Sequence, residues 1–422
     1  MLKVSEGRIK TLNFLNSRVT TISLFIGIIF ALLNACSENK PKKKKIAPED
    51  FKIAESYFTD RSIFKPISQE YINVQAEQIA TFFQRNINSL GFNGGFLVAR
   101  NGQIIFEKYQ GLSNYKTGQK IKPTTGMHLA SVGKVLTATG IFRLIETKKL
   151  KLDQKINTIL PSFPYEGITV RMLLNHRSGV PKYEYFIYEE GVWPVGKVLR
   201  NKDILRLLGE KNLPLDFEPN SKFTYCNSNF ALLALIIEEI TGKKFGDAMK
   251  SLVFEPIGMK NSFIFDYDSD LYNVSQSYKS TFERVKFDHL DAIYGDKNIY
   301  STPRDLLRFD LAMYNDTFIS KKLKKDIFKG YSYEKEGVKN YGLGIRLKEW
   351  EDGQKIFYHN GWWHGSNTTY ISLKNEKVTI IVLSNKFSRK VYESIRLSCL
   401  FGNYPFSLVE EIDSTGLVMK VE

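Results

Sequence analysis

The sequence predicts an α/β (α+β) fold in which both ends of the chain build one antiparallel sheet, with flanking helices and an inserted all-helical lobe. Three observations support this fold class. A hairpin pattern stands near the start of the folded part, residues 131 to about 313 read as mostly helical, and three strand patterns return before residue 384. Because strands at both ends enclose a helical middle, we expect the two ends to pair within the same sheet.

The first predicted elements are a helix and a hairpin. Residues 72–90 carry apolar positions at helical spacing. Residues 95–100 and 103–108 flank Asn101-Gly102, a dipeptide typical of a two-residue hairpin turn. These segments predict the amino-terminal part of the sheet.

The remaining elements follow in the middle and near the end of the chain. Residues 231–240 form the clearest buried helix pattern, and Thr302-Pro303 followed by Asp305 is typical of a capped helix start. Late strands are predicted at 355–359, 368–372 and 378–383, and a final helix at 389–400. These late strands predict the carboxy-terminal part of the sheet.

The amino terminus has the pattern of an export signal. Basic residues precede the apolar stretch 22–33, which is too short for a comfortable membrane span, and Leu33-Asn34-Ala35-Cys36 resembles a bacterial lipobox. We therefore expect a lipoprotein signal peptide at 1–35 and a lipid on Cys36; an uncleaved signal anchor is the alternative. Either arrangement places the protein in the cell envelope, anchored to a membrane with its domain outside the cytoplasm.

These signals divide the chain into four parts. The signal peptide at 1–35 is followed by a tether at 36–64, a folded domain at 65–405 and a tail at 406–422. The lysine run at 42–45 lies in the tether, where it is suited to contact anionic lipid. The membrane is therefore one expected partner.

Composition argues against several classes of function. Hydrophobic residues form 43% of the 422-residue chain, enough for a sizeable core. The net charge of +15 comes from lysines spread along the chain, and no binding motif accompanies it, so no nucleic-acid partner is expected. Besides Cys36 the mature chain would hold only Cys226 and Cys399, and no Cys/His cluster has the spacing of a metal site. We expect a monomer with no cofactor and no metal.

The most informative motif is Ser131-Val132-Gly133-Lys134, which opens a long apolar helix. Residues three apart on a helix share a face, so the Lys134 amine can reach the Ser131 hydroxyl and act as a base toward it. An ordinary helix start is the alternative, because Ser-x-x-Lys also occurs at Ser37, Ser62, Ser113 and Ser332. Only Ser131 precedes an apolar helix that would shield the lysine from water.

Two further motifs follow in order: Tyr225-Cys226-Asn227 before the buried helix, and His359-Asn360-Gly361 at the end of a predicted strand. The ordered set Ser-x-x-Lys, Tyr-x-Asn, His-x-Gly resembles the serine hydrolases related to class C β-lactamases and D-alanyl-D-alanine carboxypeptidases. The likeness covers roughly residues 65–400, and it implies a β-lactamase/transpeptidase-like fold.

The resemblance implies a role for each motif residue. Ser131 would be the nucleophile, and either Lys134 or the Tyr225 oxygen would be the base. Asn227 would bind the acyl-side amide of the substrate. His359, together with Gly361 in the third motif, would bind the substrate, either by fixing its carboxylate or by orienting Tyr225. The backbone N–H groups of Ser131 and Trp362 would form the oxyanion hole.

Several neighbours of the motifs receive less specific interpretations. His176 is expected to be structural, because Ser178-Gly179 beside it has the character of a helix-ending turn. Trp362 and Trp363 either line the acyl pocket or pack with other aromatic residues. Cys226 is interpreted as a small neighbour within the second motif.

The leading hypothesis is a membrane-tethered serine hydrolase that forms an acyl-enzyme on a peptide or ester carbonyl. D-Alanyl peptides, such as peptidoglycan stem peptides, are the first expected substrates, and small esters are the second. β-Lactams are third, because class C β-lactamases usually carry lysine where this chain has His359. The alternative from another class is a catalytically silent module that binds peptidoglycan.

Overall fold

The computed structural model describes residues 52–408, and it confirms the predicted fold class. The signal peptide, Cys36, the lysine run and most of the expected tail lie outside these residues. The strands are β1 Gly94–Arg100, β2 Gln103–Gln110, β3 Leu112–Asn114, β4 Gln119–Lys120, β5 Met127–His128, β6 Phe263–Ile264, β7 Ser277–Tyr278, β8 Arg284–Val285, β9 Ile299–Ser301, β10 Lys339–Tyr341, β11 Arg346–Glu349, β12 Lys355–Trp363, β13 Ser366–Leu373 and β14 Val378–Ser384.

Most of the helices lie between β4 and β10. The α-helices are α1 Gln69–Phe82, α2 Gly133–Glu146, α3 Val170–Leu174, α4 Tyr183–Phe186, α5 Asn201–Glu210, α6 Asn227–Thr241, α7 Phe245–Met249, α8 Pro303–Ala312 and α9 Lys321–Ile327. The 3₁₀ helices are Glu55–Thr59, Ala130–Val132, Ile156–Thr158, Glu255–Ile257 and Arg389–Leu400, and single π-helical turns follow α1 and α7 at Phe83–Ile87 and Lys250–Phe254.

One antiparallel sheet of seven strands forms the centre of the molecule, in the order β10-β11-β12-β13-β14-β1-β2. The first strand lies beside the last, with Phe96 opposite Val382. The two ends of the folded chain therefore meet inside the sheet, as the sequence predicts. The hairpin is also confirmed, because Asn101 and Gly102 both have positive φ angles, of 49° and 74°, which a two-residue type I′ turn requires.

The sheet separates two hydrophobic layers. Phe96 and Val98 face α1 and the 3₁₀ helix at Arg389–Leu400, whereas Leu97 and Ala99 face the larger core beneath the insertion. Successive residues of a strand point to opposite faces. Burial on both faces therefore explains why β1 and β14 carry almost uninterrupted apolar sequence.

The insertion between β4 and β10 holds most of the helices, but it is not the all-helical lobe that the sequence predicts, because β5 to β9 pair within it as short strands. Its centre is the contact between α2 and α6, both of which are largely buried. Gly140 allows this close approach, since a Cβ atom there would lie 2.9 Å from the Ile237 side chain. The predicted buried helix falls within α6, and Thr302 caps α8 by accepting the Asp305 N–H at 3.0 Å.

The folded part begins earlier than residue 65. Ile53, Phe58 and Phe64 are buried, and the Ile53 N–H donates to the Pro256 carbonyl at 2.7 Å. The end of the segment assigned to the tether therefore packs on the domain, because its apolar side chains have a core to enter. Within the described residues, no helix combines the length and apolar character that a membrane crossing requires.

Candidate active site

Ser131 lies in a 3₁₀ turn that leads directly into α2. The preceding residue, Ala130, has a φ of +47°, a conformation that costs free energy for a residue with a Cβ atom. The turn is held by buried His128, whose Nδ1 accepts the Ala130 N–H at 3.1 Å and whose Nε2 bonds Asn298 Oδ1 at 3.0 Å. Burial lowers the pKa of His128 to about 4, so the ring is neutral at pH 7.

Lys134 stands one helical turn later and is completely buried. Its Nζ donates to Ser131 Oγ at 2.9 Å and to the Asp296 carbonyl oxygen at 2.6 Å. It also lies 5.1 Å from the centre of the Tyr225 ring. The structure therefore places the amine of the predicted base within hydrogen-bond distance of the predicted nucleophile.

Tyr225 brings the second motif to the same place. Its ring lies 4.4 Å from the His176 ring and 4.8 Å from the Arg346 guanidinium carbon. Among the residues that the structure describes, its buried hydroxyl has no hydrogen-bond partner. A buried hydroxyl without a partner is costly in an inert core but suits a group that exchanges a proton with substrate.

His176 holds the loop that carries Tyr225. It has a φ of +58° in the turn after α3, is fully buried, and its Nδ1 accepts the Cys226 N–H at 3.2 Å. Burial and the nearby charges of Lys134 and Arg346 keep its pKa well below the ordinary value. Cys226 is buried as well, and burial raises the pKa of its thiol to about 12, which leaves it unreactive at neutral pH.

Asn227 begins α6 and points its amide toward α4. Its Nδ2 donates to Glu184 Oε1 at 3.0 Å, while its Oδ1 has no partner in the described part of the chain. Burial raises the pKa of Glu184, and its second oxygen, Oε2, is also buried without a hydrogen bond. No sequence motif marks Glu184, because its place in the site depends on the packing of α4 against α6.

A buried polar network supports the carbonyl that binds Lys134. Lys297 Nζ donates to the Tyr183 hydroxyl at 2.7 Å, and that hydroxyl donates to Asp296 Oδ2 at 2.7 Å. All three side chains are buried. Burial, with the neighbouring charge of Asp296, raises the pKa of Tyr183 well above its usual value, so Tyr183 stays protonated as a donor.

The third motif lies on β12, directly against the Ser131 turn. A Cβ atom on Gly361 would lie 2.6 Å from the Leu129 carbonyl oxygen and 3.0 Å from the Ser131 backbone nitrogen. Glycine is therefore required for this approach of strand to turn. This close approach places the backbone near Trp362 beside the Ser131 N–H. The oxyanion hole formed by the backbone N–H groups of Ser131 and Trp362 stays a prediction.

The two tryptophans have different surroundings. The Trp362 side chain is 62% exposed. In contrast, Trp363 Nε1 donates to Asp291 Oδ1 at 2.6 Å, and its ring lies 4.6 Å from Lys297 Nζ. Asp291 also bonds His364 Nε2 at 2.9 Å. Asp288, Asp291 and His364 are the one group of three potential metal ligands within residues 52–408, and these internal bonds already occupy Asp291 and His364.

His359 is completely buried, and both ring nitrogens are engaged within the protein. Nδ1 lies 2.8 Å from the Asn360 carbonyl oxygen, which can only accept, so Nε2 accepts from the Tyr341 hydroxyl at 3.2 Å. Burial and the charges of Arg346 and Lys134 hold its pKa well below the usual range. A carboxylate-binding role for His359 does not fit these contacts, because the neutral ring has no free donor.

Arg346 on β11 is a cation of the site that the sequence motifs do not predict. It lies between the Tyr225 and Tyr341 rings, 4.8 and 5.8 Å from their centres. No carboxylate of residues 52–408 lies within ion-pair distance of it. The short, polar strand that carries it gives no motif, and only the pairing of β11 with β12 brings it to the site.

Comparisons with known proteins find relatives of this chain. The Beta-lactamase family model matches residues 79–397. Penicillin-binding protein 4* of Bacillus subtilis is 32% identical over 356 residues, covering 79% of this chain and 78% of that protein. D-Aminopeptidase of Brucella canis is 25% identical over 302 residues, covering 71% of this chain and 57% of that protein. The structure of a penicillin binding protein from Bacillus halodurans superposes with a TM-score of 0.66 at 24% identity, covering 76% and 99% of the two chains.

Proposed function

This chain belongs to the β-lactamase family of serine hydrolases, and we propose that it cleaves peptide or amide bonds of D-amino-acid substrates through an acyl-enzyme on Ser131. D-Alanyl peptides are the first substrates to test. The observation that carries the proposal is the 2.9 Å contact between Lys134 Nζ and Ser131 Oγ, with the amine fully shielded from solvent. The similarity to a D-aminopeptidase supports the D-amino-acid class.

The reaction proceeds in two balanced steps. Ser131 Oγ attacks the carbonyl carbon, its proton passes to the Lys134–Tyr225 pair, and the C–N bond breaks as that proton moves to the leaving amine. Water then attacks the resulting ester, a proton returns to Ser131, and the acid product leaves. The N–H groups of Ser131 and Trp362 would stabilise the oxyanion, and each would lower the activation barrier by roughly 3 kcal/mol.

Arg346 is the group best placed to bind a carboxylate on the leaving residue. Its guanidinium lies beside Tyr225 and has no carboxylate partner in the described residues, and arginine binds carboxylates through two parallel hydrogen bonds. This role replaces the one expected for His359. The neutral His359 ring instead fixes Tyr341, which packs against the same site.

Covalent labelling tests the nucleophile. A fluorescent fluorophosphonate and a fluorescent penicillin should each label the wild-type protein, with the adduct on Ser131, and Ser131→Ala should abolish labelling and lower turnover by several orders of magnitude. Ser62→Ala, in another Ser-x-x-Lys string, is the matched control and should label like wild type. Absence of labelling in the wild type, together with absence of turnover, would favour the silent peptidoglycan-binding module.

The proposal includes a lipid anchor and a monomeric state. The motif ending at Cys36 supports lipidation, and Cys36→Ser should block lipid attachment and normal processing. Intact mass of the native membrane-fraction protein measures this directly. An unmodified Cys36 after an uncleaved amino terminus would establish the signal anchor instead. Light scattering of the solubilised protein tests the monomeric state by measuring the molar mass.

A further inference from the structure

Four buried oxygen atoms around the nucleophile have no hydrogen-bond partner within the described residues. They are Tyr225 OH, Asn227 Oδ1, Glu184 Oε2 and Asp296 Oδ1. Buried polar atoms are nearly always paired, and an unpaired one costs about 1–3 kcal/mol. Three of the four are acceptors only: the amide oxygen of Asn227, and the carboxylate oxygens of Glu184 and Asp296 when these acids are ionised. A ligand that donates several hydrogen bonds would therefore satisfy these atoms.

The cations of the protein do not supply these bonds. Lys134 Nζ is committed to Ser131 and to the Asp296 carbonyl, and Lys297 Nζ bonds the Tyr183 hydroxyl. Among residues 52–408 no lysine, arginine or histidine lies within ion-pair distance of Glu184. A largely buried carboxylate without an ion-pair partner is unfavourable, and it is relieved either by uptake of a proton or by a ligand that brings a positive charge.

Glu184 occupies a defined position relative to the substrate. Its Oε1 accepts from Asn227 Nδ2 at 3.0 Å, and Asn227 is the motif residue expected at the acyl side of the scissile bond. A group bound to Glu184 Oε2 would therefore lie on the acyl side, away from the carboxylate that Arg346 would bind. A blocked amide offers one N–H, whereas a primary ammonium offers three donors and a charge.

Resting on the proposed serine-hydrolase function, we propose that Glu184 binds the free α-ammonium group of the acyl donor. The substrate class is then D-aminoacyl peptides, amides and esters with an unblocked amino terminus, rather than longer peptides whose acyl-side nitrogen is acylated. Glu184 is the specificity-determining residue, and Asn227 Oδ1 supplies a second acceptor. The raised pKa of the Glu184 carboxyl agrees with a site whose positive charge arrives with the substrate.

A matched substrate pair tests this proposal. We would measure kcat/KM for D-alanine p-nitroanilide and N-acetyl-D-alanine p-nitroanilide with wild type, Glu184→Gln and Glu189→Gln. The wild type should prefer the free amine at least 100-fold. Glu184→Gln keeps an acceptor for Asn227, so it should lose at least tenfold on the free amine and little on the acetylated substrate. Glu189→Gln, at an exposed position beyond α4, should behave as wild type.

The outcomes separate this inference from the proposed function. A wild type that cleaves both substrates equally, or prefers the acetylated one, would overturn the ammonium site while leaving the serine hydrolase intact. Failure of the fluorophosphonate to label Ser131 would instead overturn the proposed function. If Glu184→Gln folds poorly, the preference of the wild type for the free amine still decides whether the ammonium site exists. Glu184→Asp keeps the charge, so it should retain this preference with a raised KM.

Discussion

Removal of the Tyr225 hydroxyl tests whether this tyrosine is catalytic or only packs in the site. Because it makes no hydrogen bond within residues 52–408, Tyr225→Phe should leave the thermal midpoint within about 2 °C of wild type, as expected where no hydrogen bond is lost. Loss of the proton-transfer group should lower kcat by about 10²- to 10⁴-fold. Steady-state kinetics and thermal melting measure the two effects.

The matched control for this change is Tyr185→Phe, since Tyr185 is 67% exposed. It should alter neither kcat nor the melting temperature. Full activity in Tyr225→Phe would assign the base to Lys134 alone and make Tyr225 a packing residue.

Arg346 allows a test of leaving-group recognition. Arg346→Gln should raise KM for D-alanyl-D-alanine by at least tenfold, because a charged hydrogen bond worth roughly 1.5–3 kcal/mol is lost. D-Alaninamide has no carboxylate, so its KM should change little. Arg284→Gln, at an exposed arginine, serves as the control. Equal effects on both substrates would show that Arg346 acts on Tyr225 rather than on the substrate.

At the scale of elements, the site depends on how closely β12 approaches the Ser131 turn. In Gly361→Ala the new methyl group would meet the Leu129 carbonyl oxygen at 2.6 Å and also collide with the Thr368 side chain. Backbone has to move, and a displacement of about 1 Å at a catalytic site can cost about 100-fold in rate. We expect kcat/KM to fall by about that factor, with a loss of stability of about 1–3 kcal/mol from overpacking.

Gly209→Ala in α5 is the matched control, since the nearest atom to its added Cβ is 3.5 Å away. Alanine favours a helix, so activity should be unchanged and stability equal or slightly higher. If Gly361→Ala keeps wild-type activity, the strand does not position the oxyanion donors.

Elements with local signals could be predicted, and those that depend on pairing could not. Asn101-Gly102 marks the hairpin through its backbone angles, and Thr302 marks the start of α8 through its cap. In contrast, β11 is four residues long and polar at three of them, and it becomes a strand through its pairing with β12. The final helix is 3₁₀ rather than α, a difference that apolar spacing does not reveal.

The site follows the same division. Motifs whose order reflects chemistry predict Ser131, Lys134, Tyr225 and Asn227. Glu184 and Arg346 have no motif, because each reaches the site from a separate element through tertiary packing. His359 was identified as part of the site, but its expected contact with a carboxylate depended on exposure and on partners that the sequence does not contain.

At the scale of the whole molecule, three buried histidines link stability to pH. His128, His176 and His359 all have pKa values below the ordinary 6.5, chiefly because burial disfavours the charged ring. In the unfolded chain each titrates near 6.5. Between that value and each folded pKa the unfolded state binds more protons, so the free energy of unfolding falls as the pH is lowered.

We therefore expect the free energy of unfolding to decrease below pH 6.5, by up to about 1.4 kcal/mol per pH unit for each of the three histidines. Urea unfolding at intervals from pH 7.5 to 5 measures the slope. His128→Gln should remove about one third of it, whatever its effect on stability at pH 7, whereas His289→Gln, at a partly exposed position, should leave the slope unchanged. A flat profile from pH 6.5 to 5 would mean that these rings become protonated in the folded protein. The assignment of a neutral ring to His359 would then be wrong, and so would the assignment of carboxylate binding to Arg346 that depends on it.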